Sequence, residues 1–248
     1  MILYFLFLTL LGLVPSLIWL GFYLRKDVHP EPKEMVIKIF ILGMGCAAIA
    51  AFGGILLSDF IKSLGLPLLF TLILQVFIAV ALIEEIAKYL PVHFYVLNDP
   101  EFDEPIDAMI YMIISGLGFA ALENILFLFK SFLSSGMLVP TLVALFGRFI
   151  SATFLHALAS ASIGYFLALS ILKKRSRTFF FVLGILLSTT LHGIYNFAIK
   201  IDEELVNLGW QVRDWHLLLI SAGVLFFLVI LTFFQFRKIK KLKSVCEI

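Results

Sequence analysis

Ionisable side chains lie inside otherwise apolar stretches of this chain of 248 residues. At the middle of a bilayer each such group costs at least ~2.5–3.5 kcal/mol, so these groups normally face the interior of a helix bundle and mark function. Most of them belong to pairs spaced four residues apart, which places both members of a pair on one helix face. The pairs are Glu84 with Lys88, Phe119 with Glu123, His156 with Ser160, and His192 with Asn196, and Glu85 and Arg148 lie among them.

Carboxylates and imidazoles in a low-dielectric pocket suit hydrolysis. A buried glutamate near a cation can serve as a general base that activates water against a peptide carbonyl. Alternatively, Glu123, His156 and His192 form a set of two histidines and one carboxylate that suits zinc and leaves a position for water. The helical signature H-E-x-x-H is absent, so the ligands would come from separate helices. No G-x-S-x-G segment and no intramembrane aspartate pair occurs, which disfavours serine and aspartyl mechanisms.

The elements that position these residues must be membrane helices. Hydrophobic residues make up 62% of the chain and charged residues only 15%, against roughly 25% charged in a typical soluble domain. One soluble core of this size could not hide that much apolar surface, which excludes a cytosolic enzyme and a disordered regulator. With a net charge of +2 and two cysteines, the chain offers no basic surface for nucleic acid and no disulfide framework. We expect no nucleic-acid partner and no organic cofactor.

The predicted fold is an all-α membrane bundle of about seven transmembrane helices. A spanning helix needs about 20 mainly apolar residues. The stretches that qualify lie near 2–24, 36–58, 66–97, 106–130, 138–172, 178–200 and 215–236. The third and fifth are too long for simple perpendicular spans, so we expect them to tilt, kink or begin at the interface. No connecting loop exceeds about fifteen residues, so residues 1–248 form one membrane domain whose motif-bearing core covers about residues 66–200.

Charge sets the predicted orientation. Of the 19 lysines and arginines, 13 lie on one side of the bundle, after the first, fifth and seventh stretches. By the positive-inside rule this side is cytoplasmic, which places the N-terminus outside and the C-terminus in the cytoplasm. The residues on this side are Arg25, Lys26, Lys33, Lys38, Lys173, Lys174, Arg175, Arg177, Arg237, Lys238, Lys240, Lys241 and Lys243, and Lys62, Lys130, Lys200 and Arg213 lie on the other.

The four helix faces that carry these residue pairs are predicted to lie at one depth in the membrane. Counted at 1.5 Å per residue from the cytoplasmic helix ends, they fall roughly 20–25 Å along their helices. This agreement predicts a single buried site rather than four unrelated polar positions. Arg148, two turns before His156, is expected to balance a glutamate, and the small residues from Ala157 to Gly164 are expected to allow close helix packing.

The ordered motifs resemble the PrsW family of intramembrane proteases. They are Glu84-Glu85-Ile86-Ala87-Lys88, Gly118-Phe119-Ala120-Ala121-Leu122-Glu123-Asn124, His156, and His192-Gly193-Ile194-Tyr195-Asn196-Phe197, and Glu104-Pro105-Ile106-Asp107-Ala108 with Tyr111 also fits. Distant relatives of that family, the type II CAAX prenyl endopeptidases, carry E-E-x-x-x-R, F-x-x-x-H and H-x-x-x-N. Here Tyr89 occupies the arginine position and Glu123 the histidine position, which favours a PrsW-like protein.

The resemblance implies regulated intramembrane proteolysis in a prokaryotic cell membrane. It implies membrane-anchored protein substrates such as anti-sigma factors, with membrane lipid as the surrounding partner. As a hypothesis for the roles, Glu85 or Glu84 activates water, Glu123 and His156 hold that water or a zinc ion, and Lys88 tunes the glutamates. His192 and Asn196 then stabilise the oxyanion.

Two other functions compete with proteolysis of membrane-anchored substrates. One is a CAAX-type prenyl-protein endopeptidase. The other is a proton- or cation-coupled transporter, because chains of Glu, His and Lys also form proton relays. The absence of an internal repeat with broken helices in matching halves counts against a transporter. A non-catalytic scaffold or lipid-binding protein is a third possibility.

Overall fold

A computed structural model describes residues 2–26, 29–207 and 215–242 of the chain. Within these ranges the chain forms helices joined by short turns, and they contain no strand. The helices are α1 (Ile2–Leu24), α2 (Lys33–Ser63), α3 (Leu68–Leu74), α4 (Ile83–Tyr95), α5 (Asp107–Ser135), α6 (Leu138–Ile150), α7 (Ala152–Leu172), α8 (Arg177–Asn207) and α9 (Trp215–Ile239).

The described residues contain seven helical segments that are long and apolar enough to cross a membrane. They coincide with the seven predicted stretches, so the all-α membrane bundle is confirmed. The third segment, Leu68–Tyr95, joins α3 to α4, and the fifth, Leu138–Leu172, joins α6 to α7. The orientation of the termini stays a prediction, and two residues used for it, Arg213 and Lys243, lie outside the described residues.

The two long segments depart from regular α-helix, as their length predicts. Between α3 and α4, residues Gln75–Leu82 form a π-helix, in which each turn holds an extra residue. Between α6 and α7 the helix breaks at Ser151, whose φ of −120° and ψ of −82° are not helical. A π-helix of this length is rare, and such segments are frequently found at functional sites.

Helix α5 is the centre of the bundle. In its most apolar stretch 72% of the residues are buried, whereas in the other six segments this share lies between 22% and 39%. It packs against α1, α2 and α7. Because the lipid tails are as apolar as leucine, helices in a membrane associate through close packing at small residues rather than through hydrophobicity.

Glycines permit the closest of these approaches. A Cβ atom on Gly43 of α2 would overlap the backbone carbonyl of Ser115 in α5, and one on Gly118 would overlap the carbonyl of Phe40. At the α7 contact of the same helix, a Cβ on Gly164 would overlap the carbonyl of Ala108. The small-residue stretch of α7 therefore lies in a helix interface, as predicted.

We predict that Gly43→Val destabilises the protein by at least about 1–3 kcal/mol, the usual cost of overpacking an interior. The new side chain must displace backbone of α5, which cannot yield as a flexible side chain could. The measurement is the midpoint of thermal unfolding of the purified protein in detergent.

Gly45→Val is the matched control for this prediction. Gly45 lies on the same helix only two residues away, yet a Cβ atom there meets nothing within 4 Å. Equal unfolding midpoints for the two variants would contradict the close packing of α2 on α5.

Candidate active site

Helix α4 begins directly after the π-helix with the two adjacent glutamates. The carboxylate of Glu85 is completely buried and accepts a hydrogen bond from Lys88 Nζ at 2.6 Å. The same oxygen, Oε1, lies 2.7 Å from Nδ1 of His192 on α8. The Lys88 ammonium is also fully buried and lies 4.0 Å from Glu84 Oε2 and 4.9 Å from the centre of the Phe119 ring. Together these contacts join α4, α5 and α8.

A second polar group joins α5 to α6 and α7. Glu123 Oε2 lies 2.7 Å from Nε2 of His156 and 3.4 Å from Nη2 of Arg148. Arg148 Nε donates to Oδ1 of Asn124, whose Nδ2 in turn donates to the Thr153 hydroxyl at 2.9 Å. Arg148 therefore pairs with a glutamate, as its position in the sequence predicts.

The two groups meet at the histidines. The rings of His156 and His192 lie 5.2 Å apart and are nearly perpendicular. His192 Nε2 is 3.6 Å from Glu84 Oε2. Residues from α4, α5, α7 and α8 thus form one buried cluster, which is the single site that their common depth predicts.

The cluster contains a set of residues that fits a metal ion. Glu84, His156 and His192 each offer one ligand atom, and these atoms lie within 4.8 Å of one another. Glu84 Oε2 and His156 Nδ1 are buried and have no hydrogen-bond partner among the described residues. His192 offers Nε2 while its Nδ1 is held by a carboxylate, an arrangement common for metal-binding histidines.

The carboxylate in this set differs from the predicted one. The sequence suggested Glu123 beside His156 and His192, and that ligand set stays a prediction. The group of three that the structure gathers within 4.8 Å contains Glu84 instead. Glu123 is instead held by Arg148 and by one nitrogen of His156. Sequence spacing gives the depth of a residue in the membrane, but it does not give the direction in which its side chain points relative to neighbouring helices. Both Glu84 and Glu123 were therefore compatible with a position beside the histidines.

A cavity of about 470 Å³ adjoins the cluster. Its walls come from the π-helix, the end of α6, the start of α7 and the second half of α8, so both irregular helical regions border it. Arg148 and Asn196 both line it, which connects the cavity with the Glu123 side of the cluster. Val76, Val80, Ala144 and Ile199 make much of the remaining wall apolar.

Six of the seven predicted residues therefore meet in the cluster, and the seventh, Asn196, lines the adjoining cavity. The sequence did not single out Thr153, although its position three residues before His156 on one helix face is a usable signal. It also gave no role to Ser115, whose hydroxyl donates to the Lys88 carbonyl at 2.6 Å. Such contacts between helices have no local pattern in the sequence.

Comparison with known proteins agrees with this geometry. The family model described as "PrsW family intramembrane metalloprotease" matches residues 31–234, which include the whole cluster. This match and the relatives below favour an intramembrane protease over the transporter and the CAAX-type endopeptidase.

Curated relatives point to the same family. A protein named Protease PrsW from Geobacillus kaustophilus is 30% identical over 201 residues, covering 78% of this chain and 80% of the relative. A protein of the same name from Oceanobacillus iheyensis is 31% identical, and the match covers 76% of this chain and 81% of the relative. For the Bacillus subtilis protein of that name, identity is 26% with 94% of both chains covered. No solved structure matches significantly. The chain therefore belongs to the PrsW family of intramembrane metalloproteases.

Proposed function

We propose that this protease uses Glu84, His156 and His192 to hold a zinc ion, and that Glu123 is the base for the attacking water. The observation that carries the proposal is that one ligand atom from each of these three residues lies within 4.8 Å of the others. Glu84 Oε2 and His156 Nδ1 are buried and have no hydrogen-bond partner among the described residues. Zinc bound there would act as a Lewis acid and make its bound water acidic enough to be a nucleophile.

Glu85 and Lys88 act as positioning residues in this proposal. Glu85 Oε1 accepts from His192 Nδ1, which leaves Nε2 as the ligand atom and fixes the ring orientation. Lys88 offsets the negative charge of the adjacent glutamates, and it is held among them by its 2.6 Å contact with Glu85. Glu85 does not act as the water-activating base in this proposal, because its side chain has no exposure from which it could exchange a proton with water.

Glu123 is the carboxylate of the cluster best placed to exchange a proton. Its side chain is 28% exposed, against 14% for Glu84 and 0% for Glu85. Arg148 Nη2 lies 3.4 Å from its Oε2 and holds the carboxylate in position. A proton held on Glu123 can then pass to the amine that leaves when the peptide bond breaks, as general acid–base catalysis requires.

The cavity beside the cluster is the proposed binding site for the scissile segment. Asn196 and Arg148 line it and offer N–H donors to the carbonyl oxygen of the substrate, which gains negative charge in the transition state. The apolar residues of the wall suit the side chains of a membrane-spanning substrate.

The substrates we propose are single-span, membrane-anchored proteins of the anti-sigma-factor type, cleaved at or within a prokaryotic cell membrane. Seven membrane-spanning segments and the family support a multi-pass membrane protease. The basic residues at the ends of α1 and α9 support a cytoplasmic position for that face of the bundle.

Metal content and turnover distinguish the proposed ligand from the proposed base. We expect Glu84→Gln to lose at least tenfold in zinc affinity together with activity, because a ligand is removed. We expect Glu123→Gln to retain zinc and to lose at least a hundredfold in turnover, as removal of a general base typically costs. The measurements are zinc per protein by elemental mass spectrometry and cleavage of a reconstituted single-span substrate panel.

The control is Glu34→Gln, which makes the same chemical change at an exposed position in the first turn of α2. The reverse result, with zinc lost from Glu123→Gln and kept by Glu84→Gln, would restore the ligand set expected from the sequence. Full turnover in both variants would refute the assignment altogether.

Filling the cavity should impair substrate binding without damaging the fold. Gly147 lines the cavity, and a Cβ atom there meets nothing within 4 Å. We therefore expect Gly147→Val to reduce cleavage of membrane substrates at least tenfold while zinc content and the unfolding midpoint stay unchanged. Gly45→Val introduces the same side chain at an open position on α2 and should cleave normally. Normal cleavage by Gly147→Val would show that the substrate binds elsewhere.

A further inference from the structure

A second cavity, of about 520 Å³, lies between α1, α7 and α9, apart from the cluster of glutamates and histidines. We call it the α1–α9 groove. Its volume falls within the range of about 300–1,000 Å³ typical of small-molecule sites. Its lining residues are Trp19, Phe22, Tyr23, Lys26, Phe154, Leu158, Val229, Thr232, Phe233, Phe236, Arg237 and Lys240.

The groove is apolar in its depth and basic at one end. Three cations line it, Lys26 just beyond α1 and Arg237 and Lys240 at the end of α9, and no acidic residue is among its lining residues. Lys240 Nζ donates to the Lys26 carbonyl at 2.6 Å, which holds two of the basic residues together. Lys26 also lies over the Phe22 ring at 4.7 Å. A ligand that fits must combine a hydrophobic body with an anionic end.

We propose that the α1–α9 groove binds an anionic phospholipid of the surrounding bilayer, with its acyl chain along the aromatic residues and its phosphate at Lys26, Arg237 and Lys240. The three cations lie at the helix ends, at the level where lipid headgroups are found, and basic clusters in this position bind anionic lipid. A substrate helix is a poorer occupant, because its own flanking residues on this face are basic by the positive-inside rule and would be repelled.

The lipid would support a helix that carries an active-site residue. Trp19 lines the groove and stacks on Phe154 with ring centres 4.2 Å apart. Its Nε1 donates to the carbonyl of Phe149 at 3.0 Å, next to the break between α6 and α7 and one residue after Arg148. A molecule packed against Trp19 therefore contacts the side chain that fixes this break.

Quenching of Trp19 fluorescence by brominated lipid tests the proposal. Trp210, which lies outside the described residues, and Trp215 are replaced by phenylalanine so that Trp19 is the single tryptophan. The protein is reconstituted in equimolar phosphatidylglycerol and phosphatidylcholine, with brominated acyl chains on one lipid or on the other. We expect severalfold stronger quenching when phosphatidylglycerol carries the bromine. Equal quenching in the two vesicle sets would overturn the proposal.

Charge variants test whether the three cations select the lipid. We expect a single neutralisation to lower the preference for phosphatidylglycerol over phosphatidylcholine about fivefold, the usual contribution of one basic residue at an anionic membrane surface. The variants are Lys26→Gln, Arg237→Gln and Lys240→Gln. The combined Lys26→Arg and Lys240→Arg variant keeps the charge and should keep the preference, which separates lost charge from lost folding.

The matched control is the triple variant Lys173→Gln, Arg175→Gln and Arg177→Gln, which removes the same charge at the other basic junction of this face. Brominated phosphatidylglycerol should quench the Trp19 fluorescence of this variant as strongly as that of the unaltered protein. A preference that survives neutralisation of the groove cations, or that disappears equally in this control, would overturn the proposal.

Discussion

The site depends on one buried ionic contact, that of Lys88 with Glu85. Both side chains have no exposure, and an isolated charge in such surroundings costs several kcal/mol even after relaxation. The pair is tolerable only because Glu85 also bonds to His192 and Glu84 lies near the ammonium. Satisfying these charges therefore fixes the rotation of α4 and its distance from α8. The histidine is oriented as a consequence.

The irregular backbone serves the same arrangement. A π-helical stretch ends where α4 begins, and the extra residue in each of its turns changes the direction in which the following glutamates point. At the other wall, the break at Ser151 lets α6 bring Arg148 toward Glu123 while α7 carries His156 to the same carboxylate. In a membrane such departures are tolerated where the backbone is buried in protein or lines a cavity.

The common support of the two polar groups is α5, whose backbone is approached closely at glycines of α2 and α7 and at its own Gly118. This helix also contributes Glu123, Asn124 and the aromatic ring of Phe119 to the two polar groups. Since both groups contact α5, Glu84 on α4 and His192 on α8 are held relative to His156 on α7. A site that must keep ligand atoms within a few ångströms requires such a common support.

The sequence by itself determined the class of the protein and the membrane segments found among the described residues, and it named most of the polar residues that the structure gathers into one cluster. These follow from local quantities, because hydropathy sets which segments span a membrane and the cost of a buried charge marks functional positions. Only the tertiary structure showed that Glu84 lies close to both histidines while Glu123 contacts His156, and that Asn196 lines a cavity beside the cluster. The groove between α1 and α9 likewise had no signal in the sequence. The physical reason is that spacing fixes depth along a helix, whereas rotation and contact between helices depend on packing and on the satisfaction of buried charges by residues far apart in the chain.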